Sequence, residues 1–125
     1  KKKQDNFVGK WMESLSVKPK APQKKLNAFS GGNKQKVLLA KWLSTNPKVL
    51  IIDEPTSGID VGAKEDIHKL IRNFSDKGIG IIMISSEIPE ILAVSDRVIT
   101  MKKGHITDKL RNKNLSQEDL LSRAF

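Results

Sequence analysis

Two adjacent carboxylates, Asp53 and Glu54, end the apolar run Val49-Leu50-Ile51-Ile52 and are followed at once by Pro55. Side by side at the carboxyl end of a strand, such acids suit a hydrated Mg2+ and an attacking water, because a hard cation takes oxygen ligands and keeps several waters. In open α/β sheets that end of the strand is also where ligands bind. A plain polar exit from strand to loop accounts for the same two acids. The second candidate is Ser30-Gly31-Gly32-Asn33, ahead of the apolar segment Val37-Leu38-Leu39-Ala40. Ser30 is a good N-cap, and the free N–H groups and positive dipole end of a helix starting there make a natural phosphate site. Two glycines in a first turn cost roughly 1 kcal/mol each against alanine, which makes sense where something approaches the backbone closely. An ordinary capped helix with a flexible entry is the simpler account. Asp60 is the third candidate, as N-cap of a helix opening near Gly62, and a cap leaves another face of the side chain for an interface contact.

The elements that must position these residues follow from periodicity. Residues 48–53 show no polar alternation, which predicts a strand buried on both faces inside a parallel sheet. Residues 80–84 read as another buried strand, ending on Ser85-Ser86-Glu87. Between them, residues 62–77 place Ala63, Ile67, Leu70, Ile71 and Phe74 on one helical stripe, and Lys77-Gly78 stops it. Upstream, Phe7, Val8, Trp11, Met12 and Leu15 give residues 4–15 the pattern of an amphipathic helix. Residues 16–28 are irregular, and a helix from Ser30 runs until Asn46-Pro47. Downstream come a short helix over 89–93, a strand over 97–101, a turn at Lys102-Lys103-Gly104-His105 and a returning strand over 106–110. Ser116-Gln117-Glu118-Asp119 resembles a capping box opening a terminal helix. Alternating strands and helices predict an α/β layer with a parallel sheet and the hairpin as its mixed edge.

The 125 residues make one domain's worth of chain, small for a nucleotide-hydrolysing enzyme, and the start at Lys1 without Met leads us to expect a piece of something longer. The net charge is +9, with much of the excess early, in Lys1-Lys2-Lys3, Lys18, Lys20, Lys24 and Lys25. Such a surface attracts nucleic acid, phosphate or an anionic membrane. No aromatics interleave with the basic residues as in a single-strand groove, so a solvated lysine surface is the better account and nucleic acid is not expected. The absence of Cys fits a reducing compartment. No apolar run approaches the roughly 18 residues of a membrane span. His68 and His105 are expected at surface positions, with no second His or Cys at metal spacing.

Taken in order, Phe29-Ser30-Gly31-Gly32-Asn33-Lys34-Gln35, Val49-Leu50-Ile51-Ile52-Asp53-Glu54-Pro55-Thr56 and Ser57-Gly58-Ile59-Asp60 resemble the signature motif, Walker B and D-loop of an ABC transporter ATPase. Asn33 where most of these ATPases carry Gln, with Gly58-Ile59-Asp60-Val61-Gly62-Ala63-Lys64 and Ile84-Ser85-Ser86-Glu87-Ile88-Pro89-Glu90, narrows the resemblance to the second nucleotide-binding domain of tandem ribose, galactose and xylose importers. The resemblance implies a partial P-loop NTPase fold. Residues 1–47 would be a helical-subdomain remnant with linker and signature helix, and residues 48–125 the C-terminal half of the ATPase core. It further implies that Ser30, Gly31, Gly32 and Asn33 bind ATP held mainly by an opposing nucleotide-binding domain. Asp53 would hold Mg2+, Glu54 would activate water, and Asp60 would couple the two sites across the dimer interface.

A membrane permease would be the other partner, with the protein peripheral on the cytoplasmic face of the membrane. By the same resemblance Ser86 binds the nucleotide where the family places a switch His, as a weaker, uncharged partner for the γ-phosphate whose hydroxyl cannot do the proton or positioning work of an imidazole. No Gly-x-x-x-x-Gly-Lys-Ser/Thr phosphate loop and no Q-loop is present, so the chain alone is expected to bind ATP weakly or not at all and to be inactive, as half of an ATPase. Exposed sheet edges and apolar surface are expected to drive self-association. Nucleoside import, or a soluble ABC protein acting on ribosomes or DNA, are the alternative functions; those soluble relatives usually keep Gln after Ser-Gly-Gly and the switch His.

Overall fold

In the computed structural model, residues 2–124 are described; Lys1 of the basic amino-terminal run and the terminal Phe125 lie outside the described residues. The chain order is α1 (Lys2–Ser14), a 3-10 turn (Leu26–Ala28), α2 (Gly31–Leu43), β1 (Val49–Asp53), α3 (Val61–Asp76), β2 (Gly80–Ile84), α4 (Ile88–Val94), β3 (Arg97–Lys102), β4 (His105–Arg111) and α5 (Gln117–Ala124).

β1 and β2 pair in parallel, Leu50 beside Ile81 and Ile52 beside Met83, so their carboxyl ends lie together. α2 and α3 cover one face of this pair: Leu39, Leu43, Ile67 and Ile71 close over Leu50 and Ile52. A second apolar cluster joins α1 to α2 through Met12, Leu15, Val17, Phe29 and Ala40. Burial on both faces of β1, expected from its unbroken apolar run, is not what the structure shows. Leu50 and Ile52 are buried while Val49 and Ile51, which alternate with them, are 56% and 64% exposed. The same holds for β2, where Ile82 and Ile84 stand half exposed, because both helices lie on one side of the strands and none of the described elements covers the other. The apolar stripe of α1 is likewise only half used, with Met12 and Leu15 buried and Phe7 and Val8 exposed.

The hairpin is a separate two-stranded sheet and not the mixed edge of the parallel one. Its pairing is local: Lys103 and Gly104 both have positive φ, as a type I′ turn requires, and fold β3 directly onto β4. Its base is fastened to α4 instead of to β2, for Asn112 Nδ2 donates to the carbonyls of Leu92 and Ser95, each at 2.8 Å. α3 ends as its sequence foretold, with Gly78 at φ 92° and the N–H groups of Gly78 and Ile79 closing on the carbonyls of Ser75 and Phe74. The Ser116 capping box is also present, Asp119 accepting from the Ser116 amide and hydroxyl and donating its own N–H back to the Ser116 hydroxyl.

Candidate active site

The two parallel strands end at a common point, where Asp53 is level with Ile84. The Glu54 amide continues the ladder to the Ile84 carbonyl at 2.9 Å, and Glu54 then turns sharply, with φ 46°. That left-handed turn costs a non-glycine residue energy, and it swings the carboxylate across to the other strand. There Oε1 accepts from the Ser86 amide at 2.7 Å. No side-chain hydrogen bond to Oε2 is found among the described residues. Asp53 is exposed, and by strand alternation its carboxylate falls on the uncovered face with Val49 and Ile51.

The start of α2 lies against the loop beyond β1, with Gly31 beside Gly58 and Ile59. Ser30 occupies the N-cap position of α2 but makes no side-chain cap bond; its hydroxyl instead accepts from Asn33 Nδ2 at 2.9 Å. Asn33 Oδ1 accepts from the Lys18 amide at 2.8 Å, so the amide side chain ties the helix start to the irregular segment before it. The first α2 bond runs from the Lys34 amide to the Ser30 carbonyl at 2.8 Å, and the N–H groups ahead of it are first-turn donors.

The two glycines have different surroundings. Gly31 is exposed, whereas a Cβ on Gly32 would lie 2.6 Å from the Ala63 Cβ. The close approach that the paired glycines called for is therefore made in part by α3. A second strut joins the same two helices, since the buried Lys36 Nζ donates to Asp66 Oδ2 at 2.7 Å and that bond holds the Asp66 carboxyl below its ordinary range. Asp60 caps α3, its Oδ1 accepting from the Ala63 amide at 2.9 Å.

His68 is not the surface residue expected. Its Nε2 lies 2.8 Å from Glu90 Oε1, and Glu90 is buried. Thr56, 1% exposed, donates to the same oxygen at 2.7 Å, and Ser85 donates to Oε2 at 2.5 Å. His68 follows the stripe residue Ile67 on α3 and is half-buried, its ring meeting Glu90 of α4. Thr56, Ser85 and Glu90, none of which sequence reasoning singled out, belong to this buried cluster. One signal was available: Glu90 and Val94 share the buried stripe of α4 at helical spacing, and a carboxylate on such a stripe demands partners. Burial pushes the Glu90 carboxyl up, but the hydrogen bonds from Ser85, Thr56 and His68 outweigh it and hold the carboxyl below its ordinary value of 4.5. A carboxyl depressed on folding stabilises the fold above its unfolded value and loses that contribution as pH falls through the folded one. Fluorescence of Trp11 and Trp42 during acid titration is accordingly expected to report loss of structure below the usual carboxylate range, and a Glu90→Gln chain should lack this component.

His105, by contrast, is exposed at the start of β4. Among the described residues no group of three His, Cys, Asp or Glu side chains is placed to hold a metal by itself. A Mg2+ bound largely by waters and phosphates needs only one or two carboxylates. Asp53, whose carboxylate is on the exposed face at the end of β1, fits that demand.

A parallel strand pair that ends on Asp-Glu, a glycine-opened helix lodged on the loop beyond it, and a hairpin behind define an ABC ATPase fold. The family model described as ABC transporter matches residues 1–57. The chain is 48% identical over 122 residues to the ribose import ATP-binding protein RbsA of Caldanaerobacter subterraneus subsp. tengcongensis, a match covering 98% of this chain and 25% of that protein. It is 50% identical over 114 residues to the xylose import ATP-binding protein XylG of Paraburkholderia xenovorans, covering 91% of this chain and 22% of that one. A solved nucleotide-free ATP-binding cassette from an ABC transporter superimposes with a TM-score of 0.81 at 26% identity, covering 94% of this chain and 46% of the cassette. The chain thus spans about a quarter of the length of the curated relatives it matches.

Proposed function

We propose that this chain is the signature, Walker B and D-loop portion of an ATPase that drives import of a monosaccharide. The observation that carries the reading is the shared end of β1 and β2, where Glu54 is tied to Ser86 and Asp53 stands on the open face beside it. Asp53 would hold Mg2+ through water, and the ion when bound would offset charge on the phosphates. Glu54 orients or deprotonates the attacking water through the oxygen that Ser86 does not occupy. Gly31 and the first-turn N–H groups of α2, with Ser30, face the γ-phosphate of ATP carried mainly by an opposing nucleotide-binding domain. Gly32 serves that arrangement through packing, by bringing α2 onto Ala63. Asn33 fixes the helix start through Ser30 and Lys18. Asp60 holds the D-loop at the dimer interface by capping α3. Ser86 acts through its amide, since a hydroxyl does not replace an imidazole at the γ-phosphate.

The sugar assignment rests on the ribose and xylose importers among the relatives. In this reading the permease is the membrane partner and the protein is peripheral on the cytoplasmic face; no described helix is long and apolar enough to cross a membrane. ATP-driven uptake of labelled ribose and xylose into vesicles carrying the complete protein and its permease tests it. Uptake of one of these pentoses above the ATP-free control is expected, and a complete protein that moves neither contradicts it. The apolar faces formed by Val49, Ile51, Ile82 and Ile84 support self-association of the chain alone. Light scattering at rising concentration should give a mass above the 14.0 kDa of one chain, and a constant monomer mass would refute the proposal.

A further inference from the structure

Glu90 gathers groups from three separate parts of the chain onto one buried carboxylate. Thr56 comes from the loop after β1, Ser85 from the loop after β2, and His68 from α3. With Glu90 itself 4% exposed and Thr56 1%, these are interior bonds, and among the described residues no buried side-chain polar atom goes without a partner. An ionised carboxylate only accepts, so it is suited to close on several donors at once. Apolar packing would hold α4 to the body at lower desolvation cost, since a buried charge is seldom the cheaper source of stability. What the carboxylate supplies is a fixed register between two loops.

Those loops are the ones that meet at the proposed hydrolytic corner. Ser85 precedes Ser86, whose amide donates to Glu54 Oε1. Thr56 lies just past Glu54, in a turn closed by the Ser57 amide on the Glu54 carbonyl at 3.2 Å. The Ser85 hydroxyl also accepts from the Glu87 amide at 3.0 Å, which leaves its proton to Glu90. We infer that Glu90 is a positioning residue: through Thr56 and Ser85 it locks the loop after β1 to the loop after β2 and thereby fixes the Glu54–Ser86 contact. The structural part stands on the chain itself, and its catalytic consequence rests on the ATPase reading above.

Glu90→Gln keeps the shape and leaves one oxygen for Thr56 and His68, but its NH2 group turns a donor toward the Ser85 hydroxyl. Amide hydrogen exchange on the 125-residue chain, read by NMR, is expected to show Ser86 losing about tenfold in protection while β1 and β2 amides keep theirs, since local opening is read separately from global unfolding. Unchanged protection at Ser86 overturns the inference. Should Glu90→Gln loosen every amide alike, Ser85→Ala removes a single arm of the lock. A selective loss at Ser86 in that variant supports the inference, and none overturns it. In the complete protein, Glu90→Gln is expected to lower kcat about tenfold with KM for ATP unchanged, a split that general destabilisation does not produce. If Glu54→Gln leaves hydrolysis intact while Ser86 still loses protection, the ATPase reading falls and the lock stands.

Discussion

Glu54→Gln in the complete protein is expected, on the proposed function, to lower MgATP turnover by about 10²–10⁴-fold, the range lost with a general base, while nucleotide binding persists. The reason is local. Gln can accept the Ser86 N–H through its carbonyl oxygen as Glu54 does at 2.7 Å, so the strained turn at φ 46° and the tie between the two strands survive the change. The other oxygen is replaced by an NH2 group, which carries no charge, donates in place of accepting and cannot take a proton from water. A turnover close to that of the unaltered protein would remove Glu54 from the chemistry and leave Asp53-Glu54-Pro55 as a polar exit from β1. Steady-state phosphate release with a parallel nucleotide-binding measurement separates the two outcomes.

The second large effect is expected at Gly32. Alanine in a helix gains up to about 1 kcal/mol over glycine from backbone entropy. Against that, its Cβ would sit 2.6 Å from the Ala63 Cβ, where α2 and α3 are also joined by Lys36 and Asp66. Overpacking of this kind costs about 1–3 kcal/mol, so Gly32→Ala is expected to destabilise on balance. Gly9 is the control: it lies inside α1 with nothing within 4 Å of an added Cβ, and Gly9→Ala should raise stability by up to about 1 kcal/mol. Urea midpoints for the two variants should therefore move in opposite directions. A shift upward at both positions would show that α2 and α3 are not held as close as described.

Much of the site was legible because its residues announce themselves through local chemistry. Asp53-Glu54 at the end of an apolar run, Asp60 before a helix, and Gly78 after one each carry a short-range signal, and the structure gives each the strand end, cap or stop that its neighbours implied. Paired glycines at the start of α2 signalled close approach, but not that α3 would be what comes close to Gly32. That contact depends on how two helices cross, which periodicity does not encode. Burial of β1 was overestimated for a related reason: an apolar run states what a strand can bury, and only tertiary packing decides which face is covered. The hairpin turn was readable in Lys103-Gly104, whereas its detachment from the parallel pair depends on the distant bonds of Asn112. His68, Thr56, Ser85 and Glu90 are spread along the chain and meet only in the fold.

Asp53 and Glu54 are proposed as one half of a nucleotide site that lacks a phosphate-cradling loop within these 125 residues. Isothermal titration of the chain with Mg-ATP, beside the complete protein under the same conditions, tests this most directly. Saturable binding by the complete protein is expected, with none in the micromolar range by the chain alone. Micromolar affinity in the chain alone would contradict it.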